Sequence, residues 1–233
     1  MPLVIAKFIL VAFIGYLLGS IPFGVIVGKR KAHIDIRNYG SGKTGGTNVL
    51  RTLGRKAFIL VASLDIAKGA LAVVIAGLII GTDSLANGQY GYLGLVFAQA
   101  LAGLAAVIGH IWPIFVKFKG GRGVATFLGG LIALCPAAGL FGGEALIITA
   151  GISGFVSLGS IIGVVGAYAI LIPLTIMYGF PVEYLAYVLI GTLIIIIMHR
   201  DNIKRLLTGK ERKLGQKAEP CEPKTLSNSL TDI

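Results

Sequence analysis

Hydrophobic positions in this chain neither alternate, as in a half-buried strand, nor recur at the spacing of an amphipathic helix. They form long, nearly unbroken runs between short polar segments. An α-helix needs about 20 apolar residues to cross the hydrocarbon core of a bilayer. Seven runs approach that length, at 3–27, 57–80, 92–109, 124–140, 145–156, 161–178 and 184–198. The pattern predicts an all-α polytopic membrane protein with seven transmembrane helices. The fifth run is short. Joined to the fourth across Pro136 and Gly142–Gly143, it would make one kinked helix and a total of six.

Charge placement favours seven. Of the 21 Lys and Arg residues, a seven-span arrangement puts 19 on one side, in 29–56, in 111–123 and from 199 onward. The turn at 157–160 shares that side and carries none, and the exceptions are Lys7 and Lys68. The opposite loops, 81–91, 141–144 and 179–183, contain no Lys or Arg. Basic loops mark the cytoplasmic side, so the N-terminus is expected outside and the C-terminus in the cytoplasm. Six spans would scatter the cations over both faces. Lys7 lies inside the first run, and no small-residue cleavage site precedes Pro22, so a cleaved signal peptide is not expected. Residues 1–213 read as a single integral-membrane domain and 214–233 as a polar, disordered cytoplasmic tail.

Composition sharpens the class. With 55% hydrophobic and 13% charged residues, the chain departs from soluble domains, which carry about 25% charged residues. Disorder of the whole chain is excluded on the same ground. The 34 glycines suit close helix packing, and Gly15/Gly19 and Gly159/Gly163 have the spacing for it. In a soluble protein the net charge of +11 would suggest nucleic acid. Here it gathers on one membrane face, where anionic membrane lipid is the expected partner and nucleic acid is not. Cys135 and Cys221 form no CxxC, and neither a disulfide nor a metal site is expected.

Two segments on the cytoplasmic side carry candidate chemistry. One is Gly40-Ser41-Gly42-Lys43-Thr44-Gly45-Gly46-Thr47-Asn48, followed by Arg51; the other runs from Gly109-His110 to Lys119-Gly120-Gly121-Arg122-Gly123. Both join clustered glycines to cations and hydroxyls, and both are expected to run directly into an apolar helix. Glycine turns let backbone N–H groups converge, and a helix N-terminus adds partial positive charge, so both segments suit phosphate. Gly40–Gly45 matches G-x-G-x-x-G, but no strand–turn–helix unit fits here, and Arg37 stands where a Walker A loop needs glycine. Nucleotide binding is therefore not expected. Within the spans, Asp65 and Lys68 share a helix face and can pair. His110 and His199 end spans on the loop side. Ser20, Ser157 and Ser160 fall near the same plane.

Six stretches, taken in order, resemble the bacterial acyl-phosphate:glycerol-3-phosphate acyltransferase family (PlsY). They are Gly19-Ser20-Ile21-Pro22-Phe23-Gly24, Asp35-Ile36-Arg37 with the Gly40–Arg51 loop, and Leu64-Asp65-Ile66-Ala67-Lys68-Gly69. The remaining three are 109–126, 156–160 and His199-Arg200-Asp201-Asn202 through Gly209-Lys210-Glu211. The family's first loop usually reads GSGN-x-GATN, where this chain has Lys43 and Gly46; its second reads GGKG, where this chain has Arg122.

The resemblance implies a multi-pass enzyme of the bacterial inner membrane with its active site at the cytoplasmic face. It implies transfer of a fatty acyl group from acyl phosphate to the 1-hydroxyl of sn-glycerol 3-phosphate. The products would be lysophosphatidic acid and phosphate, in the first step of phospholipid synthesis. The donor is already activated, so no cofactor is expected, and the enzyme is expected to act as a monomer. The chemistry assigns Ser20, Arg37, Lys119, His199 and Asn202 to catalysis. It assigns Gly40, Ser41, Gly42, Gly45, Thr47, Asn48, Arg51, His110, Gly120, Gly121, Arg122, Gly123, Ser157 and Ser160 to substrate and phosphate binding. His110, His199 or the substrate's own phosphate could take the hydroxyl proton. A transporter of a phosphorylated solute is the alternative, but the cations lie on one side and no repeat appears. A lipid-binding scaffold leaves both glycine segments unexplained.

Overall fold

The computed structural model describes residues 2–84 and 89–221, among which ten α-helices and no strand occur. The first apolar run forms α1 (Pro2–Ser20) and then breaks, and α2 (Phe23–Ala32) follows. The cause is Pro22: it has no N–H to donate, and its ring drives Ile21 out of the helical region. Lys29, Arg30 and Lys31 fill the last turn of α2, where cations offset the negative end of the helix dipole.

The first glycine segment does not lead straight into a span, as the sequence suggested. It leads into a short helix, α3 (Gly46–Leu53), and the chain then turns at Gly54 (φ +84°) into α4 (Arg55–Ser84). A β-carbon would strain that turn. The second glycine segment follows α5 (Gln89–Ile111) and does enter an apolar helix directly, α6 (Val124–Leu134).

The largest departure lies beyond α6. The sequence placed a turn at 141–144, but those residues are inside α7 (Pro136–Ser153). The break falls at Cys135, which is extended (φ −145°, ψ 91°), with Pro136 opening the next helix. Proline suits that first helical position because its missing N–H would be unpaired there anyway. The following turn, at Gly154 and Phe155, also comes earlier than expected, so Ser157 and Ser160 lie in the first turns of α8 (Val156–Tyr178). Then come α9 (Val182–Met198) and α10 (Arg200–Leu207), bent by 59° from α9.

Five segments are long and apolar enough to cross a bilayer: α1 with α2, α4, α5, α7 and α8. The bent pair α9–α10 makes a sixth, and α6 is a shorter apolar helix of 11 residues. The expected loop at 81–91 and the expected tail lie partly outside the described residues. Within the described part of that tail, residues 214–221 are anchored. Leu214 N donates to Gly154 O, Ala218 N to Arg51 O and Cys221 N to Asn38 O, and Gly40 N donates to Glu219 O.

Small residues let the helices approach. A β-carbon at Gly15 or Gly19 would collide with the α5 backbone at Ala102 or Ala106, and one at Gly69 with Thr126 of α6. Gly159 and Gly163 sit as closely against α7. The main core gathers where α5, α6, α8 and α9 meet, around Phe127 and Tyr187. Their rings stack at 5.3 Å, and Tyr187 donates its hydroxyl to Phe127 O at 2.8 Å. Ile195 near the end of α9 belongs to this core and Val124 at the start of α6 packs against it, which fixes the segments that carry His199 and Arg122.

Candidate active site

A cavity of about 340 Å³ opens where α3, α4, α6, α7, α8 and the α9–α10 hinge converge. One end is polar, with Lys43, Arg51, Arg122, Ser157, Ser160 and His199. The other is an apolar slot walled by Phe58, Ala62, Ile66, Leu128, Leu146 and Ile147.

Two helix N-termini face the polar end. Gly45, Gly46 and Thr47 begin α3, and Gly123, Val124 and Ala125 begin α6; all six line the cavity. Neither helix has a side-chain cap. First-turn N–H groups have no intrahelical partner, and they carry the positive end of the helix dipole. Between the two helices sits Arg122. Its Nε is buried without a hydrogen-bond partner. Burial, only partly offset by Glu211, pushes the Arg122 pKa down to about 10. A buried guanidinium with an unmet donor is costly to keep unless an anion completes it.

The glycine loops contribute differently from the sequence expectation. Their amides were expected to cradle phosphate, but four glycine N–H groups are already engaged. Gly40 N donates to Glu219 O, Gly42 N to Tyr39 O, Gly120 N to Ile111 O and Gly121 N to His110 O. Gly40 and Gly42 adopt left-handed φ values of +59° and +67° that shape the turn. Gly121 lies against the His110 ring, where a β-carbon would collide with Nε2. These glycines therefore shape the loops behind the cavity lining, and the adjoining helix N-termini supply the free donors.

Asn48 organises the first loop. Its Nδ2 donates to Ile36 O, Tyr39 O and Lys43 O at 2.8–3.1 Å, and its Oδ1 accepts from Ser41 N at 3.1 Å. Although Asn48 borders the cavity, its hydrogen-bonding capacity is spent on the backbone. The two loops are joined by Thr44 N, which donates to Gly120 O at 3.4 Å.

His199 lies between α9 and α10, past the end of the apolar span, and is 1% exposed. Its Nδ1 is 2.8 Å from Ile195 O. A carbonyl only accepts, so Nδ1 carries the proton and Nε2 is the ring's acceptor. Burial, followed by the charge of Arg122, pushes its pKa down to about 4. At neutral pH it is an uncharged hydrogen-bond acceptor. His110 is differently placed: its Nδ1 lies 3.5 Å from Asp65 Oδ1. Lys68 Nζ lies 2.9 Å from the same oxygen and donates to Ile21 O at 3.0 Å. Asp65 and Lys68 pair as their spacing predicted, and His110 joins them.

Of the expected site residues, the cavity gathers Ser41, Gly45, Thr47, Asn48, Arg51, His110, Arg122, Gly123, Ser157, Ser160 and His199. Gly40, Gly42, Gly120, Gly121, Ser20, Arg37, Lys119 and Asn202 lie off its lining. Arg37 is held by Asp35, Nη2 to Oδ2 at 2.6 Å, and donates Nη1 to Val116 O at 3.2 Å. Hydrogen bonding to Arg37 lowers the Asp35 pKa. Lys119 is exposed. Ser20 is buried, and its Oγ has no partner.

Sequence reasoning passed over Glu211 as a site residue. Its carboxylate is nearly buried, and it accepts from Ser157 Oγ (3.0 Å), Asn202 Nδ2 (2.8 Å) and Arg205 Nε (2.7 Å). In the sequence it is one acid amid tail cations, which reads as a solvated charge. Only the fold shows that it ties α8 to α10.

An all-helical membrane protein whose anion cradle opens onto an apolar slot is built for a molecule with a phosphate head and a hydrocarbon tail. A family model described as glycerol-3-phosphate acyltransferase matches residues 9–209. Glycerol-3-phosphate acyltransferase 3 of Dehalococcoides mccartyi (strain CBDB1) is 68% identical over 216 residues, 93% of this chain and 100% of that protein. The glycerol-3-phosphate acyltransferase of Halalkalibacterium halodurans is 42% identical, over 88% of this chain and 94% of its own length. Among solved structures, PlsY (YgiH), an integral membrane glycerol 3-phosphate acyltransferase, superposes in its glycerol 3-phosphate form. The TM-score is 0.76 at 38% identity, covering 89% of this chain and 96% of the other. Its lysophosphatidic acid form gives a TM-score of 0.75 at 37% identity, covering 90% and 96%. The chain belongs to the glycerol-3-phosphate acyltransferase family.

Proposed function

We propose that this enzyme transfers a fatty acyl group from acyl phosphate to the 1-hydroxyl of sn-glycerol 3-phosphate, at the cytoplasmic face of a bacterial inner membrane. The observation that carries this reading is the two-ended cavity. Arg122, Arg51 and two uncapped helix N-termini supply a phosphate cradle, and the slot beside Phe58, Leu128 and Ile147 supplies room for a tail. The reading includes seven crossings, α6 among them, with the N-terminus outside. It also includes action as a monomer, without a cofactor. The one-sided distribution of Lys and Arg supports the orientation.

The chemistry balances within the two substrates. The 1-hydroxyl oxygen attacks the acyl carbon and forms the ester bond. The bond from that carbon to the bridging phosphate oxygen breaks, and phosphate leaves. The attacking hydroxyl donates its hydrogen bond to His199 Nε2, which orients it. With a pKa of about 4, His199 holds a proton poorly. The proton therefore goes to the departing phosphate, which leaves as protonated inorganic phosphate. Arg122 and the two helix N-termini stabilise the charge that builds on phosphate and on the tetrahedral oxyanion. Ser157 and Ser160 border the polyol, and Glu211 fixes Ser157. Asn202, bound to the same carboxylate, acts from behind it.

The test supplies labelled glycerol 3-phosphate with palmitoyl phosphate, and separately with palmitoyl-CoA, to the purified protein in lipid. Lysophosphatidic acid from palmitoyl phosphate alone is the expected result. Product from palmitoyl-CoA alone refutes the donor assignment. Transmembrane flux of glycerol 3-phosphate without product favours the transporter.

A further inference from the structure

Lys43 has no role in the mechanism so far, yet its backbone is fixed on every side. Its carbonyl accepts from Asn48 Nδ2 at 3.0 Å. The residue before it donates N–H to Tyr39 O, and the residue after it donates to Gly120 O. The side chain thus starts from a rigid platform. It lines the cavity and is half-buried.

The charges around it are mainly like its own. Arg122 lies on the cradle side, and Arg200 and Asp201 lie at the start of α10. Among the described residues, no carboxylate comes within ion-pair distance of Lys43. Asp201 is instead 4.0 Å from Arg200. Burial and the Arg122 charge together lower the Lys43 pKa. A loop cation that served only to mark the cytoplasmic side would stand in solvent, as Lys119 does. A half-buried ammonium facing a buried guanidinium is unfavourable until an anion enters between them.

Lys43 also borders water. Arg200 and Asp201 are 79% and 75% exposed. The cradle's other cation, Arg122, is deep and has an unpaired donor. A ligand arriving from the aqueous side meets Lys43 first. An ammonium is a compact, strongly hydrated point charge, suited to a phosphate that arrives hydrated.

Resting on the acyltransfer reading above, we propose that Lys43 is a substrate-binding residue whose ammonium group holds the phosphate of glycerol 3-phosphate, the water-borne acceptor, at the aqueous edge of the cradle. The two substrates share phosphate chemistry, so the assignment to the acceptor is part of the claim.

The experiment compares wild-type protein with Lys43→Asn and Lys43→Arg in lipid nanodiscs, with each substrate varied in turn. Lys43→Asn is expected to raise the KM for glycerol 3-phosphate about tenfold, the loss of one charge-assisted contact. It is expected to leave kcat and the KM for palmitoyl phosphate within about twofold, and Lys43→Arg is expected to restore the acceptor KM. The salt dependence of the acceptor KM should flatten in Lys43→Asn. An unchanged acceptor KM overturns the proposal, and so does a rise confined to palmitoyl phosphate. If Lys43→Asn yields no folded protein, Lys43→Gln carries the same expectation. Calorimetric binding of glycerol 3-phosphate to wild type and variant tests Lys43 without turnover. Equal affinities refute Lys43 even where the wild type is active, whereas a wild type that binds the acceptor yet makes no product counts against the acyltransfer reading instead.

Discussion

Arg122 and a backbone carbonyl set the chemistry of His199. The buried guanidinium helps hold the imidazole neutral, and the bond from Nδ1 to Ile195 O fixes which nitrogen accepts. His199 therefore orients the nucleophile without storing its proton. Replacing it with alanine should lower kcat by about 10–100-fold, at or below the lower end of what acid–base catalysis supplies. The pH–rate profile of the variant should keep the wild-type shape at reduced height. An inflection between pH 6 and 7 that disappears with His199 would show an ordinary histidine acting as the base. At this scale the sequence was only partly informative. His199, Arg122 and Ser157 were legible because cations, hydroxyls and histidines stood at span ends. The roles of Asn48 and of the four engaged glycine amides were not, because a hydrogen bond already spent on the backbone leaves no mark on residue type.

Among the elements, the strap that closes the site is the least legible from sequence. Glu211 joins α8 to α10, and the segment after it reaches the first glycine loop. Burial raises the Glu211 pKa, but hydrogen bonds from Asn202, Arg205 and Ser157 together outweigh burial and hold it below its usual value. A depressed carboxylate pKa contributes stability above the unfolded value, about 4.3, that is lost as pH falls through the folded value. A fluorophore on Cys221, which is exposed, reports whether the strap is held. Its anisotropy should stay level from pH 7 to about 5 and drop below the usual carboxylate range. In Glu211→Gln it should be low already at pH 7. A wild-type signal that ignores pH down to 3 would contradict this coupling. The helix breaks have simpler causes. Pro22 and Pro136 were visible, but the sequence reading put the turn at 141–144 and kept a single helix kinked at Pro136 and Gly142–Gly143 as the alternative. The outcome follows from what each residue does: proline opens α7, and Gly142, packed against Gly163 and Ala167, serves the contact with α8.

Across the whole molecule, the apolar runs foretold an all-helical membrane protein, though not the breaks at Cys135 and Gly154, and the one-sided cations carry the proposed orientation. Both follow from properties that a single residue carries, namely hydrophobicity and charge. The convergence of α3, α6 and the α9–α10 hinge on one cavity depends on packing, and no residue type encodes it. The proposed orientation can be tested with thiols, since Cys135 is buried and Cys221 is the exposed natural cysteine. In intact cells with the outer membrane opened, an impermeant maleimide should leave the wild type unlabelled and should label Glu183→Cys. Breaching the inner membrane should then expose Cys221. Labelling of Cys221 from outside would invert the topology.

The central claim is that the buried Arg122 guanidinium, between two helix N-termini, is where the reacting phosphate sits. The most direct measurement is kcat/KM for lysophosphatidic acid formation from palmitoyl phosphate and glycerol 3-phosphate, for wild type and Arg122→Ala in nanodiscs, with equal melting temperatures as the folding control. The account predicts a loss of at least about 100-fold, the effect of removing one well-placed donor to a developing oxyanion. A folded Arg122→Ala protein with wild-type kcat/KM would contradict it.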